Sequence, residues 1–156
     1  IFILPEGLKR SAILPGGIVL LARALVEDQE VPEVAAGEIL AADLRSGATD
    51  PLIAILRHAG LRATFRLLTT GDLPNAAIDG YGETLLSRSQ PPVAEKALLD
   101  RFAAAGVPSG PYAYSLDPSG ESVLGLIEAD PFRAGPSDRP VLADADWVAL
   151  QGICSG

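Results

Sequence analysis

The 156-residue sequence has few of the side chains on which most enzymes depend. It contains one histidine (His58), one cysteine (Cys154) and no methionine. Histidine and reactive cysteine supply much of acid–base and nucleophilic catalysis, and one of each is too few for the usual zinc ligand sets. We therefore expect no catalytic residue, no metal and no cofactor. The composition favours a non-enzymatic role without excluding an enzyme.

Basic residues are also scarce, because 12 lysines and arginines face 20 acidic residues and the net charge is −8. Binding to nucleic acid needs clustered positive charge, so nucleic acid is not an expected partner. No segment approaches the roughly 20 apolar residues of a membrane helix, so we expect no direct insertion into a membrane. The lone cysteine leaves the compartment open between virion, periplasm and cytoplasm. The true N-terminus, and any signal or anchor removed from it, stays open too.

Apolar residues make up 48% of the chain, and the length fits a single domain over residues 1–156. The first third of the chain is less regular, and its hydrophobic pattern predicts a strand at 18–21 and a helix at 34–44. A second helix is predicted at 51–59. Asp50 can cap it, Pro51 suits its first position, and Gly60 offers a left-handed exit.

Residues 62–153 predict the order βαββα. Apolar and polar residues alternate over 62–70, which is typical of a half-buried strand. Pro91 and Pro92 precede a helix that ends at Gly106, and two strands at 112–116 and 122–128 flank a tight turn at 117–120. A last helix is predicted to begin at Asp144, which can cap it. The sequence therefore predicts an α+β fold with a small mixed or antiparallel sheet and helices packed on one face.

The βαββα order resembles small KH-like and ring-building domains of secretion rings, in which two helices cover a three-stranded sheet. Residues 35–44 also resemble the turn-then-Asp-Leu stretch of SAF domains in pilus and flagellar assembly proteins. Both resemblances imply a place in a bacterial ring or appendage.

The loop that begins at Thr69 and ends at Gly82 concentrates hydroxyls, carboxylates and glycines. Loops at strand ends often hold ligands, so this loop could form a pocket lined by Thr70, Asp72 and Asp79. No complete glycine-rich phosphate motif is present. A small-molecule or nucleotide-binding enzyme using this loop is the alternative hypothesis.

The leading hypothesis is a non-enzymatic structural or assembly subunit of a phage virion or of a bacterial secretion or appendage ring. Its partners would be copies of itself and other protein subunits. Arg62 and Arg66 are predicted on the wet face of one strand, where they could bind an acidic neighbour. Tyr112 and Tyr114 are interface candidates as well, although their rings could equally pack over the hydrophobic core.

Overall fold

The computed structural model describes residues 1–48, 50–87, 90–133, 135 and 140–155. It confirms the predicted α+β class: a small mixed sheet stands at the start of a largely helical chain. The strands are β1 (Phe2–Leu4), β2 (Ser11–Leu14) and β3 (Ile18–Ala22). The helices are α1 (Ala24–Glu27), α2 (Pro32–Ala48), α3 (Pro51–Thr70), α4 (Asn75–Ile78), α5 (Tyr81–Ser87), α6 (Glu95–Ala105), α7 (Gly110–Leu116), α8 (Leu124–Glu128) and α9 (Asp144–Gln151). Short 3₁₀ segments, Glu121–Val123 and Gly152–Ser155, precede α8 and follow α9.

The sheet has the order β1-β3-β2, with β3 parallel to β1 and antiparallel to β2. Strands β2 and β3 form a hairpin whose turn contains Gly16 and Gly17, both at positive φ. Glycine populates this region at no steric cost, so the chain can reverse there. The strand predicted at 18–21 is confirmed.

Helix α2 lies at the centre of the fold and contains the helix predicted at 34–44. Its buried positions repeat with the period of a helix: Val34, Ala35, Gly37, Glu38, Ala41 and Ala42. The largest buried cluster joins Ala41 to Phe102 of α6 and Tyr112 of α7, whose rings lie 5.6 Å apart. A second cluster joins β3 to Val34, and a third joins Ala35 to Trp147 of α9.

Helix α3 begins as predicted, since the Asp50 carboxylate accepts a hydrogen bond from Leu52 N at 2.8 Å and Pro51 follows. Gly60, at φ 82° and ψ 171°, interrupts the helix at the position where its end is predicted. A second helical segment, included in α3, follows directly and continues to Thr70.

The strand predicted at 62–70 is therefore wrong. A helix satisfies its backbone groups internally and needs no partner strand, and threonine hydroxyls here are accommodated by donating to carbonyls one turn earlier. Thr69 Oγ1, for example, bonds to Phe65 O at 2.9 Å. Ala63 is buried while Phe65 is 69% exposed, although a strand would have placed them on the same face.

The hairpin predicted at 112–116 and 122–128 is also wrong. Pro111 stands in the first turn of α7, and the second segment forms the 3₁₀ turn and α8. The turn between them does exist, because the Asp117 carboxylate accepts bonds from Ser119 and Ser122. The KH-like βαββα order is not confirmed, since its three predicted strands are helical and the sheet comes from the first 22 residues.

The remaining helix boundaries depend on local signals. Helix α6 ends at Gly106 as predicted, and this glycine takes the left-handed conformation, but the helix begins at Glu95 rather than directly after the prolines. On its exposed face, Lys96 and Asp100 form an i,i+4 ion pair at 2.8 Å. In α9 the cap position is Ala143, and Asp144 lies in the first turn rather than capping.

Gly37 brings α2 and α7 into direct contact. A β-carbon added at Gly37 would lie 2.6 Å from Cγ and 2.7 Å from Cβ of Tyr112. Because Cβ is fixed to the backbone, no rotation of the tyrosine would relieve that contact. Glycine at this position is therefore required by the packing of the two helices.

We predict that Gly37→Ala lowers the free energy of unfolding by about 1–3 kcal/mol, because the helices must separate. Gly47→Ala is the matched control on the same helix, since a β-carbon there meets no described atom within 4 Å. That change should stabilise the protein by up to about 1 kcal/mol through helix propensity. Urea unfolding measures both, and equal effects would contradict the proposed contact.

Candidate functional site

Glu38 is a fully buried carboxylate at the junction of the hairpin, α2 and α7. Its Oε2 accepts a hydrogen bond from Arg10 Nε at 2.7 Å. Its Oε1 accepts bonds from Ser11 Oγ at 2.6 Å and from Arg45 Nη1 at 3.0 Å. A buried charge is costly unless it is paired and hydrogen-bonded, and here both oxygens have partners.

Arg10 extends this cluster to α7. Its remaining nitrogens donate to the carbonyl and hydroxyl of Ser115, and its guanidinium lies 5.7 Å from the ring centre of Tyr112. Burial raises the pKa of the Tyr112 phenol and the Glu38 carboxylate adds to this, while Arg45 and Arg10 oppose it. The phenol stays neutral beside the charged groups.

The sequence reasoning missed this cluster, although one signal could have found it. Glu38 falls in the repeat of buried positions formed by Val34, Ala35, Ala41 and Ala42, so helical periodicity alone turns it inward. Because an acidic residue on a buried apolar face needs a basic partner, the position of Glu38 predicts an ion pair with an arginine.

We predict that Glu38→Gln lowers the free energy of unfolding by about 3 kcal/mol, because two guanidinium groups lose their only carboxylate among the described residues. Asp43→Asn is the matched control on α2, since Asp43 forms an exposed pair with Arg101 at 3.2 Å. Its effect should stay within about 0.5 kcal/mol. Denaturant unfolding measures both, and similar losses would show that burial does not decide the cost.

A cleft of about 110 Å³ lies against this cluster, between β2, α2 and the helices α3 and α5. Its polar lining comes from Ser11, Arg45, Ser46, Tyr81 and Gln90. The Gln90 amide donates to the carbonyl of Ser11 and so holds the segment before α6 against the hairpin.

Helices α3, α4 and α5 form a weakly buried part of the structure, in which Ala63 is the one buried residue among those described. Leu61, Phe65 and Leu68 follow one another at i, i+4 and i+7, so they share a face of α3. Their exposed fractions are 90%, 69% and 79%. We call these three residues the outer stripe.

The interface candidates Arg62 and Arg66 lie beside the outer stripe on α3. Both are exposed, but on a helix rather than on the predicted strand. Arg66 forms an exposed ion pair with Asp72 at 2.6 Å. Their part in an interface stays a prediction.

The interface candidates Tyr112 and Tyr114 differ in burial. Tyr112 is 1% exposed and lies in the largest core cluster. It therefore packs in the core and does not form a surface contact. Tyr114 is 51% exposed on the same helix. They lie two residues apart, which puts them on one face of a strand but on different faces of a helix.

The segment 69–82 brings its predicted ligand groups into local bonds. Thr70 Oγ1 donates to Arg66 O, and Asp72 pairs with Arg66. The carbonyl of Asp79 lies 2.9 Å from His58 Nε2. Neither Thr69, Thr70, Asp72 nor Asp79 lines the cleft above or the groove below. The side chain of Cys154 lies outside the described part of the structure.

A second concavity, the N-terminal groove, lies between β1, the start of α2 and α9 and has a volume of about 500 Å³. Its lining is almost wholly apolar and includes Phe2, Ile3, Ile39, Leu142, Trp147 and Leu150. β1 is an edge strand, because its one partner within the described sheet is β3. Ile1 and Phe2 are 73% and 61% exposed.

Within the described residues, no group of three or more His, Cys, Asp or Glu side chains is placed to hold a metal ion. None of the helices that the structure describes combines the length and apolar character needed to cross a membrane. Comparison of the chain with protein-family models, curated proteins and solved structures finds no match.

Proposed function

We propose that this chain is a non-enzymatic assembly subunit that packs against copies of itself, with the outer stripe of one copy seated in the N-terminal groove of the next. The observation that carries the proposal is the exposure of Leu61, Phe65 and Leu68. Three large apolar side chains on one exposed helix face are typical of a protein–protein contact.

Charge supports the choice of a second copy. Helix α3 carries Arg57, Arg62 and Arg66 and no acidic residue, in a chain of net charge −8. Beside the groove, Asp144 and Asp146 are exposed and lie within two residues of the lining residues Leu142 and Trp147 in sequence. Seating α3 in this groove brings opposite charges together, whereas pairing two α3 helices would bring arginines together.

Shape and polarity support the same arrangement. The side chains of the outer stripe are exposed, the groove is concave, and both are apolar. Interfaces combine an apolar centre with a polar rim, and in this arrangement the stripe supplies the centre and the charged residues the rim. Each contact leaves a free stripe on one copy and a free groove on the other. Such head-to-tail contacts close into rings or extend as filaments, as in the secretion ring or virion that the sequence predicts.

We predict that Leu61→Ser/Phe65→Ser/Leu68→Ser weakens self-association at least tenfold, because the apolar centre of the contact is lost. Light scattering after size exclusion and native mass spectrometry over a concentration series measure this. The matched control is Tyr114→Ser/Leu116→Ser/Leu124→Ser, which removes three exposed apolar side chains from α7 and α8.

Far-UV circular dichroism checks that both variants keep their helices. A wild-type chain that stays monomeric at every concentration would overturn the proposal. So would a control that dissociates the oligomer as fully as the stripe variant, because the contact would then lie on α7 and α8.

A charge-reversal pair tests which surfaces meet. We expect Arg57→Glu/Arg62→Glu to weaken association with the groove of the wild-type chain. Association should return when this variant is mixed with Asp144→Lys/Asp146→Lys, because the signs are again opposite. Raising the salt concentration should weaken the wild-type contact. Equal binding in every mixture would exclude this pairing of surfaces.

A further inference from the structure

The cleft between β2, α2 and the helices α3 and α5 adjoins a cluster whose charges do not balance. Arg10 and Arg45 both pair with Glu38, and neither has an ion pair with a second carboxylate among the described residues. Two positive groups therefore share one negative group. The side chains of Arg10 and Arg45 are only 26% and 17% exposed, so water screens the excess charge incompletely.

The two arginines differ in how far their hydrogen bonds are satisfied. Arg10 bonds to Glu38 and to the backbone and hydroxyl of Ser115. Arg45 lines the cleft, and its buried Nε has no hydrogen-bond partner in the described structure. An anion in the cleft would not reach that buried atom, but it would lie beside Arg45, which lines the cleft and shares the charge of Glu38 with Arg10.

We propose that this cleft binds a small monocarboxylate, whose negative charge compensates the second guanidinium of the Arg10–Glu38–Arg45 cluster. Guanidinium and carboxylate match in geometry and form strong, charge-assisted hydrogen bonds. A single excess positive charge fits a monoanion better than a doubly charged phosphate, which would leave negative charge uncompensated in a partly buried site.

The size and walls of the cleft restrict the rest of the ligand. Its volume of about 110 Å³ is well below the 300–1,000 Å³ of sites for drug-sized ligands, so it fits a few non-hydrogen atoms. Ile13, Ala54 and Leu85 supply apolar surface. The ligand class is therefore a short aliphatic acid, either free or as the end of a longer molecule that reaches out of the cleft.

Sodium acetate and sodium propionate are the probes, with sodium chloride at equal ionic strength and propionamide as the uncharged match. At ten times its dissociation constant, propionate should raise the melting temperature by about 3 °C, because it binds only the folded chain. Isothermal titration calorimetry gives the affinity. Chloride and propionamide should leave the melting temperature unchanged.

Ala54→Leu fills the cleft without touching the charged cluster, and it should weaken propionate binding at least tenfold. Ala76→Leu on α4 is the matched control at an exposed site and should bind as the wild type does. Arg45→Lys keeps the charge but loses the forked geometry, so its affinity should also fall about tenfold.

A response to propionamide equal to that of propionate, or unchanged affinity in Ala54→Leu, would overturn the proposed site. No response to either acid in the wild type would overturn it as well. A peptide with an apolar residue at its C-terminus distinguishes the two sources of the carboxylate, because it should compete with propionate only if the cleft accepts a chain end.

Discussion

The structure depends on one buried negative charge. Glu38 is surrounded by groups from two directions: Arg10 and Ser11 from the hairpin and Arg45 from its own helix. Because burying an isolated carboxylate is costly, the contacts from Arg10 and Ser11 compensate this charge and hold the hairpin against α2. Through Arg10 the same charge reaches α7, so it joins the sheet to the largest apolar cluster.

Features set by neighbouring residues could be predicted from the sequence. The cap formed by Asp50 before Pro51, the end of a helix at Gly106 and the strand near residue 20 all depend on a few adjacent residues. The segments 62–70, 112–116 and 122–128 could not be assigned in the same way. Alternation over so few residues fits a strand and a helix alike, and packing of side chains such as Tyr112 decided between them.

The candidate site was less predictable than the fold for a related reason. Arg10 and Glu38 are 28 residues apart, and no short motif joins them. The sequence predicted one part of the exposed surface of residues 57–68, because Arg62 and Arg66 were interface candidates. The sequence did not predict that Leu61 and Phe65 belong to the same exposed surface, because a strand would have turned Phe65 toward the core.

Gly60 divides α3 into two helical segments with different roles. The part of α3 before it is fixed by the Asp50 cap and lines the cleft through Pro51 and Ala54, while the part after it carries Leu61, Phe65 and Leu68. The angle between them is set at one residue whose φ of 82° strains any side chain larger than hydrogen. The direction in which the chain presents its exposed apolar residues is therefore set by the backbone conformation of a single glycine.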